Sequence, residues 1–160
     1  MSENVLDQVV DRLIATGKTI ATAESCTGGL IAKQLTDLPG SSAYFTGGAV
    51  TYSYAAKRTI LGVSEHMMFV HGSVSEPVAR VMAQGARRVF GVDVAISVTG
   101  IAGPSGGSES KPIGLTYIGL SAAEGDWVRR FVFDGDRAQN RESSAAAALQ
   151  LLLDYLDGKL

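Results

Sequence analysis

The stretch TIATAESCTGGLIAKQL, residues 19–35, passes from a β-like run directly into a helix-like pattern. The β-like run covers residues 18–24, and the pattern predicts a helix over residues 28–37, because Pro39 and Gly40 mark its end. A strand that leads at once into a helix is typical of α/β folds. The rest of the chain is therefore interpreted as an alternation of strands and helices.

The remaining segments continue that alternation. Further helices are predicted over residues 3–16, 54–61, 76–90 and 136–155. Further strands are predicted over residues 47–54, 93–100, 113–122 and 127–133, with a loop rich in Gly, Pro and Ser over 101–112. Gly17 is expected to close the first helix and Ser75 to cap the helix over residues 76–90. The sequence thus predicts an α/β fold, a three-layer α/β/α sandwich with a mixed, roughly five-stranded sheet, in one domain over residues 1–160.

Composition excludes several classes of protein. The 160 residues are 46% hydrophobic and 19% charged, which suits a globular domain with its own core. A net charge of -2 and the lack of a Lys/Arg run make nucleic-acid binding unlikely as a function. No apolar stretch is long enough to span a bilayer, so we expect a cytoplasmic protein that does not bind membranes. One cysteine and two histidines offer no metal-ligand spacing, and no metal is expected.

The turn between the first strand and its helix carries reactive side chains. Ser25 and Cys26 are both potential nucleophiles, and Thr27 follows them. Backbone N–H groups left unpaired in such a turn can hold an anion or the oxyanion of a tetrahedral intermediate. The alternative is that Ser25 or Thr27 only caps the helix, as these residue types commonly do. Spacing by itself does not decide between the two interpretations.

A hydroxyl nucleophile requires a base, and the histidines are poor candidates. Both His66 and His71 lie in one segment beside Met and Phe, where packing or exposure to solvent is expected. A lysine that loses its proton through burial is the other route. Lys57 follows a predicted strand closely enough to reach the edge of the sheet near Ser25, whereas Lys18, Lys33 and Lys111 have less reason to be buried. Since Arg58 is adjacent, Lys57 is equally interpretable as a solvated surface residue.

Two further features are compatible with a phosphate group. The segment VTGIAGPSGG, residues 98–107, contains four glycines after a predicted strand, and such loops can wrap a phosphate. Arg137 and Arg141 lie four residues apart near the start of the last helix, where the helix dipole disfavours cations. Surface carboxylates or a shared phosphate would each explain their position.

Several long motifs together resemble one known family. They are TAESCTGG, PGSSAYFTGGAVTYSYAAKRTILGV, HGSVSEPVA, SVTGIAGPSGGSESKPIGLTYIGL and GDR, and the resemblance extends from about residue 19 to residue 152. The chain resembles the CinA C-terminal domain family, which includes nicotinamide mononucleotide deamidases. The resemblance implies an α/β/α fold and hydrolysis of nicotinamide mononucleotide to nicotinate mononucleotide and ammonia, with no cofactor.

The resemblance also assigns roles to residues. It implies Ser25 as the nucleophile and Lys57 as its base, with Tyr52 orienting the lysine or stacking on the pyridine ring. It favours Ser25 over Cys26, although a thiol is intrinsically better suited to acyl transfer. The oxyanion is then expected near the amides of Cys26, Thr27 or Gly28. For the substrate and its phosphate we expect a pocket that includes Thr27, Gly28, Ser42, Thr99, Gly100, Gly103, Arg137 and Arg141.

Other functions remain open at this stage. The chain is also compatible with a nucleotide-binding regulatory module without catalysis, linked to competence or to the response to DNA damage, or with hydrolysis of a related amide. The resemblance further implies a homodimer as the partner state. Met67, Met68 and Phe69 lie in an unusually apolar connection, where they are interpreted as core packing, as a dimer contact or as a cover over the site.

Overall fold

Five strands form one mixed sheet across residues 4–160, the part of the chain that the computed structural model describes. In chain order they are β1 (Ile20–Glu24), β2 (Phe45–Val50), β3 (Val94–Gly100), β4 (Leu115–Ala122) and β5 (Gly125–Val132). Their order in the sheet is β2-β1-β3-β4-β5. The first three run parallel, and β4 and β5 pair antiparallel to their neighbours. The mixed five-stranded sheet predicted from the sequence is confirmed.

Helices cover both faces of this sheet. They are α1 (Val5–Thr16), α2 (Leu30–Thr36), α3 (Tyr54–Leu61), α4 (Glu65–His71), α5 (Glu76–Phe90) and α6 (Arg137–Leu156). On one face α1, α2 and α6 pack together, and on the other α5 lies against the strands with α3 and α4 beside it. The three-layer arrangement is therefore confirmed as well.

Alternation along β1 assigns its side chains to two separate cores. Ile20 packs in the core under α1, α2 and α6, whereas Ala21 and Ala23 pack in the core under α5. Continuing the same period, the Glu24 side chain faces α2, where it binds the helix amides, and Ser25 faces α3. Consecutive residues at the carboxyl end of one strand thus serve opposite faces of the sheet.

The predicted end of the second strand was wrong. Residues 47–54 were expected to be extended, but β2 stops at Val50 and α3 begins at Tyr54. The reason is local, because the Ser53 hydroxyl accepts a hydrogen bond from the Ala56 amide and caps α3. Tyr52 therefore lies outside the strand, in the exposed connection at the carboxyl edge of the sheet.

Two helices differ from their prediction. The helix α2 begins at Leu30 and not at residue 28, because Gly28 and Gly29 have φ angles of 62° and 104°, which an α-helix does not accommodate. The helix α4 lies in the apolar segment that was interpreted as a connection. The sequence feature that indicates this helix is its N-cap residue Ser64, whose hydroxyl accepts a hydrogen bond from the Met67 amide at 3.0 Å.

The other elements match their predictions to within two residues at each end. The first helix begins at Val5 and ends at Thr16, and Gly17, with φ 68°, caps it as expected; residue 3 of its predicted range lies outside the described residues. Ser75 precedes α5 as expected, but its hydroxyl donates to the Gly72 carbonyl and accepts no hydrogen bond from the helix amides. In residues 4–160, no helix is both long enough and apolar enough to cross a membrane.

Candidate active site

Ser25 lies at the start of a tight turn that joins β1 to α2 at the carboxyl edge of the sheet. Its amide donates to the Val98 carbonyl of β3, so the strand pairing fixes the backbone up to the nucleophile candidate. The Gly28 amide then donates to the Ser25 carbonyl and closes the turn. The two positive φ angles at Gly28 and Gly29 allow the chain to reverse within five residues.

Lys57 meets Ser25 from α3. Its side chain is 2% exposed, and the distance from its Nζ to the Ser25 Oγ is 2.9 Å. The same Nζ donates to the Thr51 carbonyl at 2.7 Å. The structure thus brings together the serine and the lysine that the sequence pairs, and it places a backbone carbonyl where it orients the amine.

Burial makes this lysine a plausible base. Desolvation lowers the pKa of Lys57 from 10.5 to about 8, because the low-polarity surroundings disfavour the ammonium form. The Glu24 carboxylate binds the Thr27 hydroxyl instead, and no carboxylate hydrogen-bonds to the Lys57 amine in residues 4–160. A substantial fraction of the amine is therefore neutral near pH 8, where it can accept the serine proton.

Cys26 is in a different electrostatic state. Burial raises the pKa of its thiol to about 11, and the side chain is 7% exposed. A thiol with that pKa is protonated at neutral pH, and the thiolate is the nucleophilic form. Gly100 is close beside it, since a Cβ on Gly100 would lie 3.1 Å from the Cys26 Sγ. Cys26 therefore has the properties of a small core residue.

The backbone amides of the turn differ in availability. The Gly28 amide is occupied by the Ser25 carbonyl, which contradicts the expectation that Gly28 donates to an oxyanion. The amides of Cys26, Thr27 and Gly29 have no acceptor among residues 4–160. Thr27 is fully buried, its hydroxyl donates to Glu24, and its carbonyl accepts from Arg141. These three N–H groups, which include the expected donors Cys26 and Thr27, are the amides of the turn that are left for a ligand.

Arg141 is engaged with the turn itself. Its Nε donates to the Cys26 carbonyl and its NH2 to the Thr27 carbonyl, both at 3.0 Å. Neither of the partners expected from the sequence, a surface carboxylate or a phosphate, is needed to explain its position. Arg141 thus fixes the turn that follows Ser25. It lies on α6, which packs on the face of the sheet opposite to α3, the helix that carries Lys57.

Arg137 bridges the mouth of the site. Its NH1 donates to the Gly103 carbonyl at 2.8 Å and its NH2 to the Tyr52 hydroxyl at 3.0 Å. Tyr52 is 60% exposed and makes no hydrogen bond to Lys57, so the expectation that it orients the lysine is wrong; the Thr51 carbonyl does so. A hollow of about 430 Å³ lies beside Arg137, between the 102–104 segment, Ile113 and the start of α6.

The other predicted pocket residues divide into two groups. Thr99 and Gly100 lie at the end of β3, next to the turn, but the Thr99 hydroxyl already donates to the Ser73 carbonyl. Ser42 lies in the 3₁₀ turn Ser41–Ala43 that precedes β2. Because β1 and β2 are parallel, Ser42 is at the amino edge of the sheet, the length of a strand or about 15 Å from Ser25. The prediction that Ser42 lines the pocket was therefore wrong for the pocket around Ser25 of the same chain.

The histidine segment contributes packing. His66 and His71 are exposed on α4, as the sequence indicated for residues without a catalytic partner. Met68 belongs to the core under α5, whereas Phe69 is 89% exposed. Core packing, one of the three interpretations of the segment, is therefore confirmed for Met68.

Sequence reasoning missed two residues that build the site. Glu24 is 1% exposed, and its carboxylate accepts hydrogen bonds from Thr27 and from two amides of α2. Thr51 supplies the carbonyl that holds Lys57, and its amide donates to the Glu24 carbonyl at 2.8 Å. The signal for Glu24 was an acidic residue that ends an otherwise apolar strand; Thr51 acts through its backbone and left no side-chain signal.

A buried lysine within hydrogen-bond distance of a serine at a strand-to-helix turn defines a Ser–Lys type of site in an α/β/α domain. The chain belongs to the CinA C-terminal domain family, whose sequence model matches residues 2–156. It is 48% identical over 99% of its length to a putative competence-damage inducible protein of Symbiobacterium thermophilum and 49% identical over 96% to a CinA-like protein of Desulfotalea psychrophila. The chain spans 39% and 37% of those two relatives, about two fifths of their length.

Solved structures agree with this membership. A CinA superfamily protein of Klebsiella pneumoniae superposes with a TM-score of 0.92 at 33% identity, covering 98% of this chain and 99% of that one. The competence/damage inducible protein CihA of Agrobacterium tumefaciens superposes with a TM-score of 0.86 at 39% identity, with 98% and 99% covered. The fold of the family is therefore the fold of this chain.

Proposed function

We propose that the chain is an amidohydrolase that converts nicotinamide mononucleotide and water to nicotinate mononucleotide and ammonia, a step of pyridine nucleotide salvage. The distance of 2.9 Å between the Ser25 Oγ and the Nζ of a buried lysine is the observation that carries this proposal. Membership of the family supports the choice of substrate. Because no serine hydrogen-bonds to a histidine side chain in residues 4–160, we assign the role of base to Lys57.

In the acylation step, the neutral Lys57 amine takes the Ser25 proton as the Oγ attacks the carboxamide carbon. The negative charge passes to the carbonyl oxygen, for which the Cys26 and Thr27 amides are available donors. When the tetrahedral intermediate collapses, the C–N bond breaks and Lys57 returns the proton to the leaving nitrogen, which departs as ammonia. The pyridinium charge of the substrate favours the neutral amine, because a nearby cation lowers a lysine pKa further.

In the second step, water hydrolyses the acyl-enzyme. Lys57 accepts a proton from the water as it attacks, and Ser25 recovers that proton as the ester bond breaks. The Thr51 carbonyl keeps the amine aimed at the same point in both steps, since it binds a hydrogen of Nζ that the reaction does not use. No side chain other than the pair has to change its protonation state.

The hollow beside Arg137 suits the phosphoribosyl part of the substrate. Its volume of about 430 Å³ falls in the range of small-molecule pockets. Arg137 is exposed, and its current partners are a carbonyl and a phenol, both of which a phosphate dianion would outcompete. We assign the phosphate to Arg137 and the Gly103 loop, with the Tyr52 ring beside the pyridine, and we place the reaction in the cytoplasm.

The test is ammonia release from purified protein with nicotinamide mononucleotide, run beside Ser25→Ala. Release that disappears in the variant supports the amidase. The names of the relatives favour a second candidate, a nucleotide-binding module linked to competence or to the response to DNA damage. Nucleotide binding by calorimetry without ammonia release would support that second candidate, and neither binding nor release would contradict both.

A further inference from the structure

Glu24 is a buried carboxylate for which the reaction itself has no use. It ends β1 directly before Ser25 and is 1% exposed, but its side chain points away from the serine, toward α2. Its Oε1 accepts from the Thr27 hydroxyl at 2.7 Å and from the Ile31 amide at 3.0 Å, and its Oε2 accepts from the Ala32 amide at 3.0 Å. Burial of a carboxylate is costly, and these three donors stabilise it.

The same residue is connected to both members of the Ser–Lys pair. Its side chain fixes Thr27, two residues after Ser25, and its carbonyl accepts from the Thr51 amide at 2.8 Å. The Thr51 carbonyl in turn holds the Lys57 Nζ at 2.7 Å. The side chain of Glu24 therefore holds the turn that follows Ser25, and its backbone holds the Thr51 segment that orients Lys57. The positions of these two segments set the distance between the Ser25 Oγ and the Lys57 Nζ.

Thr27 is held from two directions. Its hydroxyl donates to Glu24, and Arg141 donates to the Cys26 carbonyl, which belongs to the same peptide as the Thr27 amide. These two bonds hold that peptide, whose N–H has no acceptor in residues 4–160. The Glu24 carboxylate thus controls both where Ser25 lies and where that N–H points.

We propose that Glu24 is a positioning residue for catalysis: as an acceptor-only group, it fixes the turn so that the Ser25 Oγ meets Lys57 and the Thr27 amide meets the developing oxyanion. The proposal rests on the amidase function proposed above. Glutamine has the same shape, but its NH2 group would replace one of the two acceptors, so that a donor faces either the Ala32 amide or the Ile31 amide. One of those contacts is then lost and the turn shifts.

The experiment compares Glu24→Gln with Tyr44→Phe. Tyr44 is a matched control because it is 1% exposed and its hydroxyl donates to the Leu35 carbonyl of α2 at 2.6 Å, at the other end of that helix. Each variant loses a buried hydrogen bond that anchors α2. We measure kcat and KM for ammonia release and, by urea titration, the free energy of unfolding.

Glu24→Gln is expected to lower kcat about 10- to 100-fold with KM changed less than threefold, since a misplaced nucleophile costs rate more than binding. Tyr44→Phe is expected to keep kcat within about twofold of the parent protein. Equal kcat values for Glu24→Gln and the parent protein would overturn the proposal. So would an equal fall in kcat for both variants, because it would show that anchoring α2 is all that matters.

A second readout separates this proposal from the amidase function. The rate at which a fluorophosphonate labels Ser25 depends on the Ser–Lys geometry and needs no natural substrate. If the parent protein is labelled but releases no ammonia, the amidase function fails, and the labelling rate alone tests Glu24: a rate about tenfold or more slower in Glu24→Gln supports its positioning role, and an unchanged rate overturns it.

Where Glu24→Gln fails to fold, Thr27→Val tests the same link. Valine keeps the shape of threonine and removes the donor to Glu24, while both α2 amides keep their bonds to the carboxylate. A labelling rate and a kcat about fivefold or more below those of the parent protein support the proposal, because the peptide between Cys26 and Thr27 is then released on one side. Parent values for both quantities would overturn it.

Discussion

Replacing Lys57 by methionine is expected to abolish turnover and, at the same time, to remove a pH dependence from the stability of the fold. Methionine has nearly the length of lysine and no charge, so it fills the same space between α3 and the sheet. The variant loses the base of the proposed reaction and the hydrogen bonds to Ser25 and Thr51. It also loses a group whose burial favours the uncharged form.

The size of the effect follows from the pKa of Lys57, which burial lowers from 10.5 to about 8. A lysine with a lowered pKa in the folded state releases its proton there first, so the unfolded chain binds more protons between pH 8 and 10.5. The contribution of this group to stability is therefore present in full above about pH 10.5 and is lost as the pH falls through 8. At about 1.4 kcal/mol for each pKa unit, the whole span is worth about 3 kcal/mol, and about 2 kcal/mol of it falls between pH 7 and 9.5.

The assay is urea unfolding of both proteins at pH 7 and at pH 9.5, with the difference between them taken at each pH. Other groups that begin to titrate in this range, such as the tyrosines and the surface lysines, contribute equally to both proteins and cancel. The parent protein should gain about 2 kcal/mol of unfolding free energy relative to Lys57→Met between the two pH values.

The activity of the parent protein should follow the same titration. Because the neutral amine is the base, kcat/KM is expected to rise about tenfold for each pH unit below 8 and to level off above it. A stability difference that does not change with pH, together with an activity that has no midpoint near 8, would refute the argument that burial turns Lys57 into a base.

Three further outcomes are expected. Cys26→Ala should keep kcat within about threefold of the parent protein and lower the stability by about 1 kcal/mol, because a protonated core thiol is being truncated; a loss of turnover equal to that of Ser25→Ala would make Cys26 the nucleophile. Arg137→Met should raise KM for the nucleotide about 10-fold or more with kcat nearly unchanged, whereas nicotinamide without its phosphoribose should be hydrolysed equally by both proteins; a KM like that of the parent protein would remove Arg137 from the phosphate site. Phe69→Glu should shift the proposed homodimer to monomer in light scattering, since Phe69 is 89% exposed; an unchanged mass would place any interface elsewhere.

The fold was predictable to the extent that local patterns decide it. Period-two and period-3.6 patterns, glycine ends and the buried runs placed all five strands and five of the six helices in residues 4–160. The errors arose where a short polar contact competes with the pattern. Ser53 ends the extended stretch earlier than its aromatic residues suggest, and Ser64 starts a helix in a segment with no clear period.

The site was predictable in its reactive groups and not in their supports. The residue types made Ser25 and Lys57 candidates and the family resemblance paired them, but the contacts that hold them are made by backbone groups of distant segments. The Thr51 carbonyl and the Cys26 and Thr27 carbonyls have no side-chain signature, so the partner of Arg141 could not be identified from its helical position. Ser42 was misassigned because a motif does not indicate which edge of the sheet its residues reach.

The supports also explain why a reactive turn is stable on this fold. A turn with two positive φ angles is held by Glu24, the last residue of β1, and by Arg141, near the start of α6. One is an anion that takes N–H and O–H donors, and the other is a cation that donates to carbonyls, so together they satisfy both kinds of group that a tight turn leaves unpaired. The exceptions in residues 4–160 are the amides of Cys26, Thr27 and Gly29, and the first two directly follow Ser25, where the proposed reaction develops negative charge.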